Sequence, residues 1–581
     1  MQFMTVSDYI FDFLWKKDCK KVFMVSGSSA MWLTDALYRN ENLQAICCHH
    51  EQAVAMAADG YGRVNDVPGA ALVTIGPGAT NAITGVAQAF LDSSPMFVIS
   101  GQANSRLLEY AKRTGIRQQG CQSINLEPMV TPITKYFAAV MSADDIPQIM
   151  EDAYYYAMEG RKGPVWIDVP VDIQNSQVSE KAILNVVKRK VKNRLIDENM
   201  LADIADRILK SKKPLIMAGY GVRSSGSIEL LERLSKDYDI PIVTSRGGID
   251  VVNSDSKLFI GRPGSYGDRA SHFAIQEADL LLIFGSRLSI STVGYYPQRF
   301  GKNAFKVMID IDDKELNKED VPVDYKINAD LNEWLKKLLG YMSGKECVHT
   351  EWVNHCNEYK EKYPTVVNEY KDEKPLNEYY VTSVISNLAS ENSNIVVDTG
   401  SVCNIVSQSW KIKKGQRYLV SGGLSCMGFW ATALGVCQSD RQVIAISGDG
   451  STQMNIQELA TMQYNKIPVK LFVYNNNGYM LIRHNQHNYM DDRFLGVGPD
   501  SGIQTPDFCK VAEAYGVKNV KIKSGDDIKS KVKEVLEFNG PVVCEVICQQ
   551  FAPIIPRIAS RVMPDGSLKA AEFEDLYPFL D

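Results

Sequence analysis

Short apolar runs rich in β-branched residues alternate along the whole chain with longer amphipathic stretches. The runs read VPGAALVTIG, SPMFVISG, GPVWIDVP, KPLIMAGYG, DLLLIFGS, KVMIDID, NIVVDTG, QVIAISGDG, VKLFVYNN and GPVVCEVIC. This alternation predicts parallel sheets that are covered by helices. Several runs end in Gly, Asn or Asp, and an open α/β sheet binds its ligands at the carboxyl ends of its strands. We therefore expect an α/β protein whose function lies at those strand ends.

Length and polar stretches divide the chain into three predicted domains. At 581 residues it is too long for one hydrophobic core. We predict linkers in the charged stretch after Val178, SEKAILNVVKRKVKNR, and in residues 344–374, which contain KECVHTEWVNHC and EYKDEKP. The predicted domains cover residues 1–180, 190–343 and 375–550, and a C-terminal tail covers residues 551–581.

Composition and charge argue against several classes of protein. The net charge is −6, the pI is near 5.8, and no long Lys/Arg run suggests a nucleic-acid partner. No run of about eighteen apolar residues is present, and acidic residues interrupt the apolar N-terminus, so neither a membrane span nor a secretion signal is indicated. We expect a cytoplasmic protein.

The 12 cysteines are scattered and none is paired at C-x-x-C spacing, which argues against a disulfide framework. Cys347, His349, His355 and Cys356 offer soft ligands close together in the sequence, as a zinc site would. Their spacing matches no common zinc finger, and we favour the alternative that they belong to a polar linker.

One βαβ unit carries polar residues at both strand ends. In QVIAISGDGSTQMNIQELATMQYNKIPVKLFVYNNNGY, a buried strand ends at GDGS (448–451), a helix follows, and a second strand ends at Asn475 and Asn476. Asp449 and Asn476 are about 27 residues apart, so one helical crossover can bring both strand ends side by side. Glycines let the backbone approach a phosphate group, while carboxylate and amide oxygens suit Mg²⁺. The unit predicts a magnesium ion that bridges to a diphosphate.

This arrangement resembles the thiamine-diphosphate motif, in which Gly-Asp-Gly is followed by Asn-Asn. The resemblance implies that thiamine diphosphate and Mg²⁺ are the cofactors. It makes Asp449, Asn476 and the backbone carbonyl of Gly478 the magnesium ligands. It also implies cofactor contacts at Gly448, Gly450, Ser451 and Tyr479. The alternative, two unrelated turns that flank a helix, explains either half but is a poor explanation of both.

A thiamine enzyme also needs a carboxylic acid beside the aminopyrimidine ring of the cofactor, and Glu51 is the candidate. It lies in AICCHHEQAVAMAADGYGRV, after a short apolar run and at the start of a helical segment rich in Ala and Gly. The small residues permit close packing against a cofactor or a partner. In isolation, the alternative for Glu51 is a helix-start glutamate that the helix dipole favours.

The same segment resembles the His-Glu-Gln stretch of the acetolactate synthase (acetohydroxyacid synthase) family. The resemblance recurs at residues 76–81 (GPGATN), in SGGLSCMGFW and in NIQELATMQYNKIPVK, and it covers essentially the whole chain. It implies three doubly wound parallel-sheet domains, which are a pyrimidine-binding, a central and a diphosphate-binding domain. It makes Glu51 the acid that activates the cofactor.

Further roles follow from the same resemblance. Met427 is expected to prop the cofactor into its bent conformation, with a buried core methionine as the alternative, and the Ser425 carbonyl to accept a bond from the cofactor's amino group. The resemblance also implies a cofactor contact at Asn404, a catalytic role for Gln122, and substrate contacts at Gly27 and Ser28. In this family the first domain of one subunit and the third domain of another form the site. We therefore expect a homodimer or a dimer of dimers.

The central domain contains glycine loops after predicted strands, in KPLIMAGYGVRSSGS with Gly219 and Gly221 and in LLIFGSRLS with Arg287. Such loops suit a dinucleotide, and these residues are the candidate cofactor contacts. Middle domains of this superfamily hold FAD, ADP or nothing, and the pattern favours FAD here. In acetolactate synthases the flavin performs no net redox chemistry.

The overall resemblance implies decarboxylation of a 2-oxo acid, with pyruvate as the expected donor, and transfer of the two-carbon unit to a carbonyl acceptor. The chain departs from the family at GCQS (120–123), which keeps the glutamine but loses a phenylalanine and an acid. It departs again at NGYMLIRHNQ, where Arg483 and His484 become candidate substrate contacts, with a solvated helix face as the alternative.

The second departure and the ending FAPIIPRIASRVMPDGS resemble a subgroup of the family, some of whose members transfer an acetyl unit to keto-sugars. A sugar-linked acceptor is therefore one alternative. A 2-oxo acid decarboxylase or a flavin-linked oxidase is another. A non-catalytic subunit is a third, and retention of Glu51, Asp449 and Asn476 argues against it.

Overall fold

The chain folds around three parallel β-sheets, each of six strands. The computed structural model describes residues 4–192, 194–437, 440–562 and 568–580. The strands of the first sheet are β1 (Lys21–Met24), β2 (Gln44–Cys47), β3 (Gly69–Val73), β4 (Met96–Gln102), β5 (Tyr136–Ala139) and β6 (Pro164–Pro170). Those of the second are β7 (Pro214–Ala218), β8 (Ile242–Thr244), β9 (Phe259–Gly261), β10 (Leu280–Phe284), β11 (Phe305–Asp310) and β12 (Tyr325–Asn328). Those of the third are β13 (Ser393–Val397), β14 (Arg417–Val420), β15 (Gln442–Gly448), β16 (Val469–Asn475), β17 (Lys518–Ile522) and β18 (Val542–Ile547). The α/β prediction with three parallel sheets is confirmed.

Helices flank the sheets. In chain order they are α1 (Val6–Lys16), α2 (Met31–Arg39), α3 (Glu51–Asn65), α4 (Pro77–Leu91), α5 (Ser105–Thr114), α6 (Glu127–Val130), α7 (Ile146–Met158), α8 (Val171–Gln174), α9 (Glu180–Leu184), α10 (Glu198–Lys210), α11 (Tyr220–Ser224), α12 (Ile228–Asp237), α13 (Arg269–Glu277), α14 (Ile290–Val293), α15 (Asp313–Leu316), α16 (Leu331–Met342), α17 (Thr350–Lys362), α18 (Glu378–Leu388), α19 (Ser401–Ser409), α20 (Asp449–Thr452), α21 (Glu458–Tyr464), α22 (Met480–Tyr489), α23 (Phe508–Ala514) and α24 (Ile528–Glu537). A small antiparallel pair, β19 (Ser560–Val562) with β20 (Leu568–Ala570), lies in the C-terminal tail. Residues 563–567, the end of the tail motif FAPIIPRIASRVMPDGS, and Asn193 of the first predicted linker lie outside the described residues.

The strand orders define where each sheet can bind a ligand. The first sheet has the order β2-β1-β3-β4-β6-β5, and the third repeats this topology as β14-β13-β15-β16-β18-β17. The second has the order β12-β11-β10-β7-β8-β9, which is the order of dinucleotide-binding sheets. The strand order reverses between β1 and β3, between β13 and β15, and between β7 and β10. Loops at these three switch points frame the crevices in which open α/β sheets bind ligands.

The first and third sheets share one hydrophobic core, whereas the central sheet has its own. On β7, Leu215 and Met217 pack on one face of the central sheet while Ile216 and Ala218 pack on the other, as the alternation of side chains along a strand requires. Helices cover both faces, which explains why the strands read as continuous apolar runs.

The small residues of α3 pack inside the chain. A Cβ atom on Gly60 would come within 2.5 Å of the Thr432 carbonyl, in the 3₁₀ helix Phe429–Leu434 of the C-terminal domain. A Cβ atom on Gly85 of α4 would come within 2.6 Å of the Ala55 Cβ. Glycine at these positions lets helices and backbone approach closely. The Ala- and Gly-rich segment therefore docks the N-terminal domain on the C-terminal domain of the same chain.

Residues 344–374, predicted to be a linker, contain the helix α17, which packs against α13 of the central domain. Trp352 and Cys356 of this helix are buried in the core on one face of the central sheet. The polar residues of α17 lie on the exposed face of an amphipathic helix. Their number in the sequence led to the prediction of a linker. No helix in the described ranges has the length and apolarity that a membrane crossing requires.

Candidate active site

A cavity of about 530 Å³ opens at the switch point of the third sheet. This volume lies within the range of about 300–1,000 Å³ typical of small-molecule sites. Ten residues that were predicted to contact cofactor or metal line this cavity. They are Asn404, Ser425, Met427, Gly448, Asp449, Gly450, Ser451, Asn476, Gly478 and Tyr479. The central domain closes its other side, with Arg246, Tyr266 and Tyr295 among the lining residues.

Asp449 is held at the carboxyl end of β15 by two backbone groups. The N–H of Gly450 donates to Oδ1 at 2.8 Å, and the N–H of Gly478 donates to Oδ2 at 2.8 Å. The second bond joins the loop after β15 to the loop after β16, its neighbour in the sheet. Burial raises the pKa of Asp449 to about 6, because the backbone N–H bonds and the charge of Arg483 offset only part of the cost of removing the carboxylate from water. A divalent cation is the partner that such a carboxylate lacks.

Asn476 is oriented for the same position. It is 2% exposed, and its Nδ2 donates to Glu378 Oε1 at 3.1 Å. Its Oδ1 is buried and accepts no hydrogen bond from the described residues. An unpartnered buried carbonyl oxygen costs free energy, and a cation bound in the cavity would satisfy it. The fixed amide directs Oδ1 away from Glu378.

Glu378, in the first turn of α18, is a fully buried acid that the sequence analysis did not find. Burial raises its pKa to about 7, and its Oε2 also has no partner among the described residues. The bond from Asn476 joins residues 98 positions apart, so no local pattern pointed to it. Its geometry makes it the residue that fixes the Asn476 amide.

We predict that Glu378→Ala weakens Mg²⁺ binding about tenfold or more, since groups that orient metal ligands contribute about 10–100-fold to affinity. Glu378→Gln keeps an oxygen acceptor for Asn476 Nδ2 and should stay near wild type. Titration of the purified chain with Mg²⁺ in the presence of thiamine diphosphate measures the effect. Asn387→Ala, an exposed position on the same helix, is the matched control. Equal Mg²⁺ affinity in all four proteins would contradict the orienting role.

Backbone groups line the part of the cavity between the first turn of α19 and Gly448. Gly400 has a φ of +84°, and a Cβ atom there would meet nothing within 4 Å. α19 begins at Ser401 without a side-chain cap, so its first N–H groups are free to bind an anion. A Cβ atom on Gly448 would touch only Val402, at 3.5 Å. This open cradle of N–H groups suits a diphosphate.

Glycine occupies position 450 for a different steric reason. A Cβ atom on Gly450 would overlap the ring of Tyr479, so glycine at this position makes room for the tyrosine. Tyr479 itself is anchored by its N–H, which donates to the Val497 carbonyl at 3.0 Å. Contact with Tyr479 therefore explains glycine at position 450, whereas Gly448 and Gly400 leave open space beside the cavity.

These residues fit a magnesium ion bound to a diphosphate. Asp449 offers carboxylate oxygens, Asn476 offers its unpartnered Oδ1, and the cradle beside them offers backbone N–H groups. Hard oxygen ligands of this kind are those that Mg²⁺ prefers, together with phosphate oxygens.

The loop of residues 421–428 forms another wall of the cavity. Ser425 has a φ of +57°, a conformation that residues other than glycine adopt rarely. Met427 is half-buried, lines the cavity, and its carbonyl accepts from Gln52 Nε2 at 3.3 Å. Cys426 packs in a small cluster with Ala53 and Met56 of α3. Met427 is thus not a buried core methionine, which was the alternative to a cofactor contact.

Two acids hold this loop and the start of the 3₁₀ helix that follows it. Asp398, at the end of β13, is fully buried and accepts from the N–H groups of Phe429 and Trp430, each at 3.2 Å, and from Ser447 Oγ at 2.8 Å. Asp92, in the N-terminal domain, accepts from the N–H groups of Gly422 and Gly423. Asp398 could have been found from the sequence, because NIVVDTG places it at a strand end. Asp92 carried no such signal.

Ser451 also serves this loop. Its Oγ accepts from the Gly428 N–H at 2.9 Å, which joins the loop after β15 to the segment that carries Met427. The residue also lines the cavity.

Arg483 lies in α22, next to the loop of residues 476–478 that follows β16, and is 9% exposed. Its terminal nitrogens donate to the carbonyls of Asn477 at 2.9 Å and Val497 at 2.8 Å, and more weakly to that of Asn476 at 3.4 Å. A further bond goes to the Gln550 carbonyl. The guanidinium therefore holds three backbone segments together.

His484 anchors the C-terminal segment. Its Nε2 lies 2.8 Å from the Ala552 carbonyl, its ring packs on Phe551, and burial lowers its pKa below the usual value. Neither Arg483 nor His484 lines the cavity or lies on a solvated helix face. The structure gives both side chains an anchoring role, and a substrate contact for them stays a prediction.

We predict that Arg483→Met lowers the stability of the C-terminal domain by about 2 kcal/mol or more, because buried carbonyls lose their donors. Thermal unfolding followed by tryptophan fluorescence measures the change. Arg493→Met removes an arginine whose side chain is 72% exposed and should leave the midpoint almost unchanged. A midpoint for Arg483→Met that matches the Arg493→Met control would show that the guanidinium does not brace the loop.

The predicted residues of the N-terminal domain form a separate group at the switch point of the first sheet. Glu51 begins α3, and its Oε2 accepts from Asn81 Nδ2 at 3.0 Å. Gln122 has a φ of +59°, and its backbone lies against the turn at Gly76. Gly27 and Ser28 follow β1, and a Cβ atom on Gly27 would overlap Thr74.

None of this group lines the 530 Å³ cavity, whose described lining residues begin at Arg246. Within one chain, Glu51 and Asp449 are therefore not brought into a common cavity.

The predicted nucleotide residues lie at the switch point of the central sheet. Cβ atoms on Gly219 and Gly221 would collide with the Gly285 backbone, so these glycines let the loops after β7 and β10 touch. Gly221 and Arg287 line a second cavity of about 180 Å³ between the three domains. Arg287 donates to the carbonyls of Leu91 at 3.3 Å and Gly422 at 3.4 Å. The volume is below the range of about 300–1,000 Å³ typical of ligand sites, so FAD would need this space to widen.

Cys347 and His349 lie before α17, whereas His355 and Cys356 lie within it. No three of the ligand atoms of these four residues come together in the described structure. His349 Nδ1 lies 2.7 Å from the Tyr238 carbonyl, and Cys356 is buried in the core.

Comparison with known proteins finds three matching family models. They are the thiamine pyrophosphate enzyme N-terminal TPP binding domain over residues 4–126, the central domain over 201–338, and the C-terminal TPP binding domain over 398–546. The third model spans all the predicted magnesium ligands, and the first includes Glu51.

Curated relatives resemble the chain over nearly its full length. The acetolactate synthase large subunit of Lactococcus lactis is 32% identical over 94% of this chain and 92% of the relative. The probable acetolactate synthase large subunit of Methanocaldococcus jannaschii is 32% identical over 97% and 96%. The chloroplastic acetolactate synthase 1 of Nicotiana tabacum is 31% identical over 95% and 83%. The chain therefore belongs to the acetolactate synthase large-subunit family of thiamine pyrophosphate enzymes.

Proposed function

We propose that this chain is a thiamine-diphosphate-dependent carboligase that decarboxylates a 2-oxo acid, with pyruvate as the donor, and transfers the two-carbon unit to a carbonyl acceptor. The observation that carries the proposal is the pair of Asp449 and the unpartnered Asn476 Oδ1 at the edge of the cavity. Relatives named acetolactate synthase support the same reaction. When bound, thiamine diphosphate supplies the electron sink for this chemistry, which no amino-acid side chain can provide.

The chain's own residues would bind and orient the cofactor. Asp449, Asn476 and the Gly478 carbonyl would hold Mg²⁺, while the α19 N-terminus and the loop at Gly448, Gly450 and Ser451 would hold the diphosphate. Met427 would support the bent cofactor and the Ser425 carbonyl would accept from its amino group, with Asn404 and Tyr479 beside them. Asp398 and Asp92 would keep the loop of Met427 in position through their backbone bonds.

The site would be completed by a second copy of the chain. Glu51 of that copy would hold and release a proton at the aminopyrimidine ring, and Gln122, Gly27 and Ser28 would lie near the substrate. The separation of this group from the cavity within one chain supports a homodimer or dimer of dimers. The free cysteines suit a reducing compartment, and we propose the cytoplasm.

The central cavity would hold a nucleotide, with FAD or the smaller ADP as the candidates. The sheet order and the position of Arg287 support a nucleotide, while the small volume favours ADP. Absorbance of the purified protein at about 450 nm, where flavins absorb, tests for FAD, and nucleotide analysis of the denatured protein tests for ADP. A colourless and fully active protein would rule out FAD.

Incubation with pyruvate, Mg²⁺ and thiamine diphosphate tests the proposed reaction when acetolactate, acetaldehyde and hydrogen peroxide are measured separately. We expect CO₂ release and acetolactate. Acetaldehyde without acetolactate would identify a decarboxylase, and peroxide would identify an oxidase. If pyruvate is consumed but only an added keto compound, such as a keto-sugar, accepts the two-carbon unit, pyruvate is the donor and not the natural acceptor.

A further inference from the structure

Glu458 is a buried acid that the proposed chemistry does not use. It is the first residue of α21, which follows the loop of Asp449 in the chain. Its side chain is fully buried and lines neither of the two cavities. An acid in the first turn of a helix is often explained by the helix dipole alone. That explanation would leave the carboxylate free to face water, whereas here it faces the N-terminal domain.

The carboxylate of Glu458 holds the turn that leads into α3. The N–H of His49 donates to Oε1 at 3.0 Å and to Oε2 at 3.3 Å, and Thr461 Oγ1 donates to Oε2 at 2.7 Å. His49 and Glu458 are 409 positions apart, so the contact joins the N-terminal and C-terminal domains. A backbone N–H that donates to a carboxylate forms a bond about twice as strong as a neutral one. The contact therefore fixes the backbone two residues before Glu51.

Other contacts leave the start of α3 little freedom. His50 is the N-cap of this helix, and its Nδ1 accepts from the Gln52 N–H at 3.1 Å. Gln52 Nε2 donates to the Met427 carbonyl at 3.3 Å. Glu51 lies between these two residues, so its position depends on the C-terminal domain of its own copy. The acceptor at Glu458 is the fully buried one, where water cannot replace a lost partner.

We propose that Glu458 is a positioning residue for cofactor activation, which holds the turn before α3 so that the Glu51 carboxylate meets the aminopyrimidine ring. The inference rests on the proposed function, in which Glu51 acts in the active site of the neighbouring copy. Each Glu458 then serves the site of the other copy, and not the site built on the Asp449 of its own chain. A displacement of about 1 Å in a site can cost about 100-fold in rate, so this role has a measurable consequence.

The first test measures proton exchange at the reactive carbon of thiamine diphosphate bound to the full chain with Mg²⁺, without any substrate. Glu458→Ala removes the acceptor, whereas Glu458→Gln keeps an oxygen for the His49 N–H. Leu459→Ala truncates a buried core residue of the same helix and controls for lost stability. Glu513→Ala removes an exposed glutamate of the same domain. Thermal unfolding and cofactor affinity are measured on the same samples.

We expect Glu458→Ala to slow the exchange about 10- to 100-fold, while the affinity for thiamine diphosphate stays within about threefold of wild type. Glu458→Gln should stay within about threefold of the wild-type rate, since its amide oxygen still accepts. Leu459→Ala should lower the unfolding midpoint without slowing the exchange, and Glu513→Ala should change neither. Exchange at the wild-type rate in Glu458→Ala, or exchange slowed equally in Leu459→Ala, would overturn the proposal.

Hybrid dimers, purified through two different affinity tags, test which copy Glu458 serves. A hybrid of Glu458→Ala with Asp449→Ala has one complete site, which takes Glu51 from the copy with an intact Glu458, so its bound cofactor should exchange at the wild-type rate. In a hybrid of Glu458→Ala with Glu51→Gln, one site lacks the acid and the other takes Glu51 from the copy without Glu458. All its bound cofactor should exchange slowly. The reverse pattern, or equal rates in both hybrids, would show that Glu458 does not act on the neighbouring site.

Failure of the proposed function gives a different result. If the exchange depends on Glu458 as expected but the wild type releases no CO₂ from pyruvate, the proposed reaction is contradicted and the positioning role is not. A wild type that binds no thiamine diphosphate would contradict both.

Discussion

Asp449→Ala is expected to abolish magnesium-dependent binding of thiamine diphosphate and to reduce carboligation more than about 1,000-fold. The variant removes the carboxylate that the Gly450 and Gly478 N–H groups orient toward the cavity. Asn476 Oδ1 and a backbone carbonyl are neutral, and without the carboxylate they offer Mg²⁺ no protein charge. Calorimetric titration with thiamine diphosphate, with and without Mg²⁺, measures the loss directly.

Asp500→Ala is the matched control, because Asp500 is an exposed aspartate of the same domain. It should bind both cofactors as the wild type does. If Asp449→Ala still bound thiamine diphosphate with Mg²⁺ at wild-type affinity, the metal would have other ligands and the assignment of the cavity would be wrong.

Glu51→Gln is expected to lower turnover about 100- to 10,000-fold, the usual contribution of a positioned acid or base, while cofactor binding and the oligomer stay intact. Glutamine can still receive the hydrogen bond from Asn81 Nδ2, so the local structure should persist. It cannot give or take the proton that activates the cofactor. Comparing the rate of proton exchange at the cofactor's reactive carbon with the cofactor affinity separates the two effects.

Mixing the two inactive variants tests whether Glu51 and Asp449 act from different copies. Hybrid dimers of Glu51→Gln and Asp449→Ala would contain one intact site, and random reassortment of the subunits should restore about a quarter of wild-type activity. No recovery from subunits that demonstrably exchange would mean that both residues act within one copy.

The magnesium position could be predicted from the sequence because its parts are local. Asp449 and Asn476 end adjacent strands of one βαβ unit, so the sheet brings them together whatever the rest of the chain does. Glu378 and Asp92 could not be predicted in this way. Their roles depend on contacts with Asn476 and with the 421–428 loop, which are remote in sequence and visible only after folding.

The fold was predictable to the level of three parallel sheets but not to the order of their strands. Apolar runs indicate which strands are buried, whereas the order of the strands depends on which crossover connections pack together. For this reason the dinucleotide-type order of the central sheet emerged only from the structure.

A structure of the chain crystallised with thiamine diphosphate and Mg²⁺ tests the central claim most directly. The account predicts Mg²⁺ at about 2.0–2.1 Å from Asp449 and Asn476 Oδ1. It also predicts the diphosphate at the α19 N-terminus and Glu51 of a second copy within hydrogen-bond reach of the aminopyrimidine ring. Cofactor bound elsewhere, or a cavity in which Glu51 belongs to the same copy as Asp449, would contradict it.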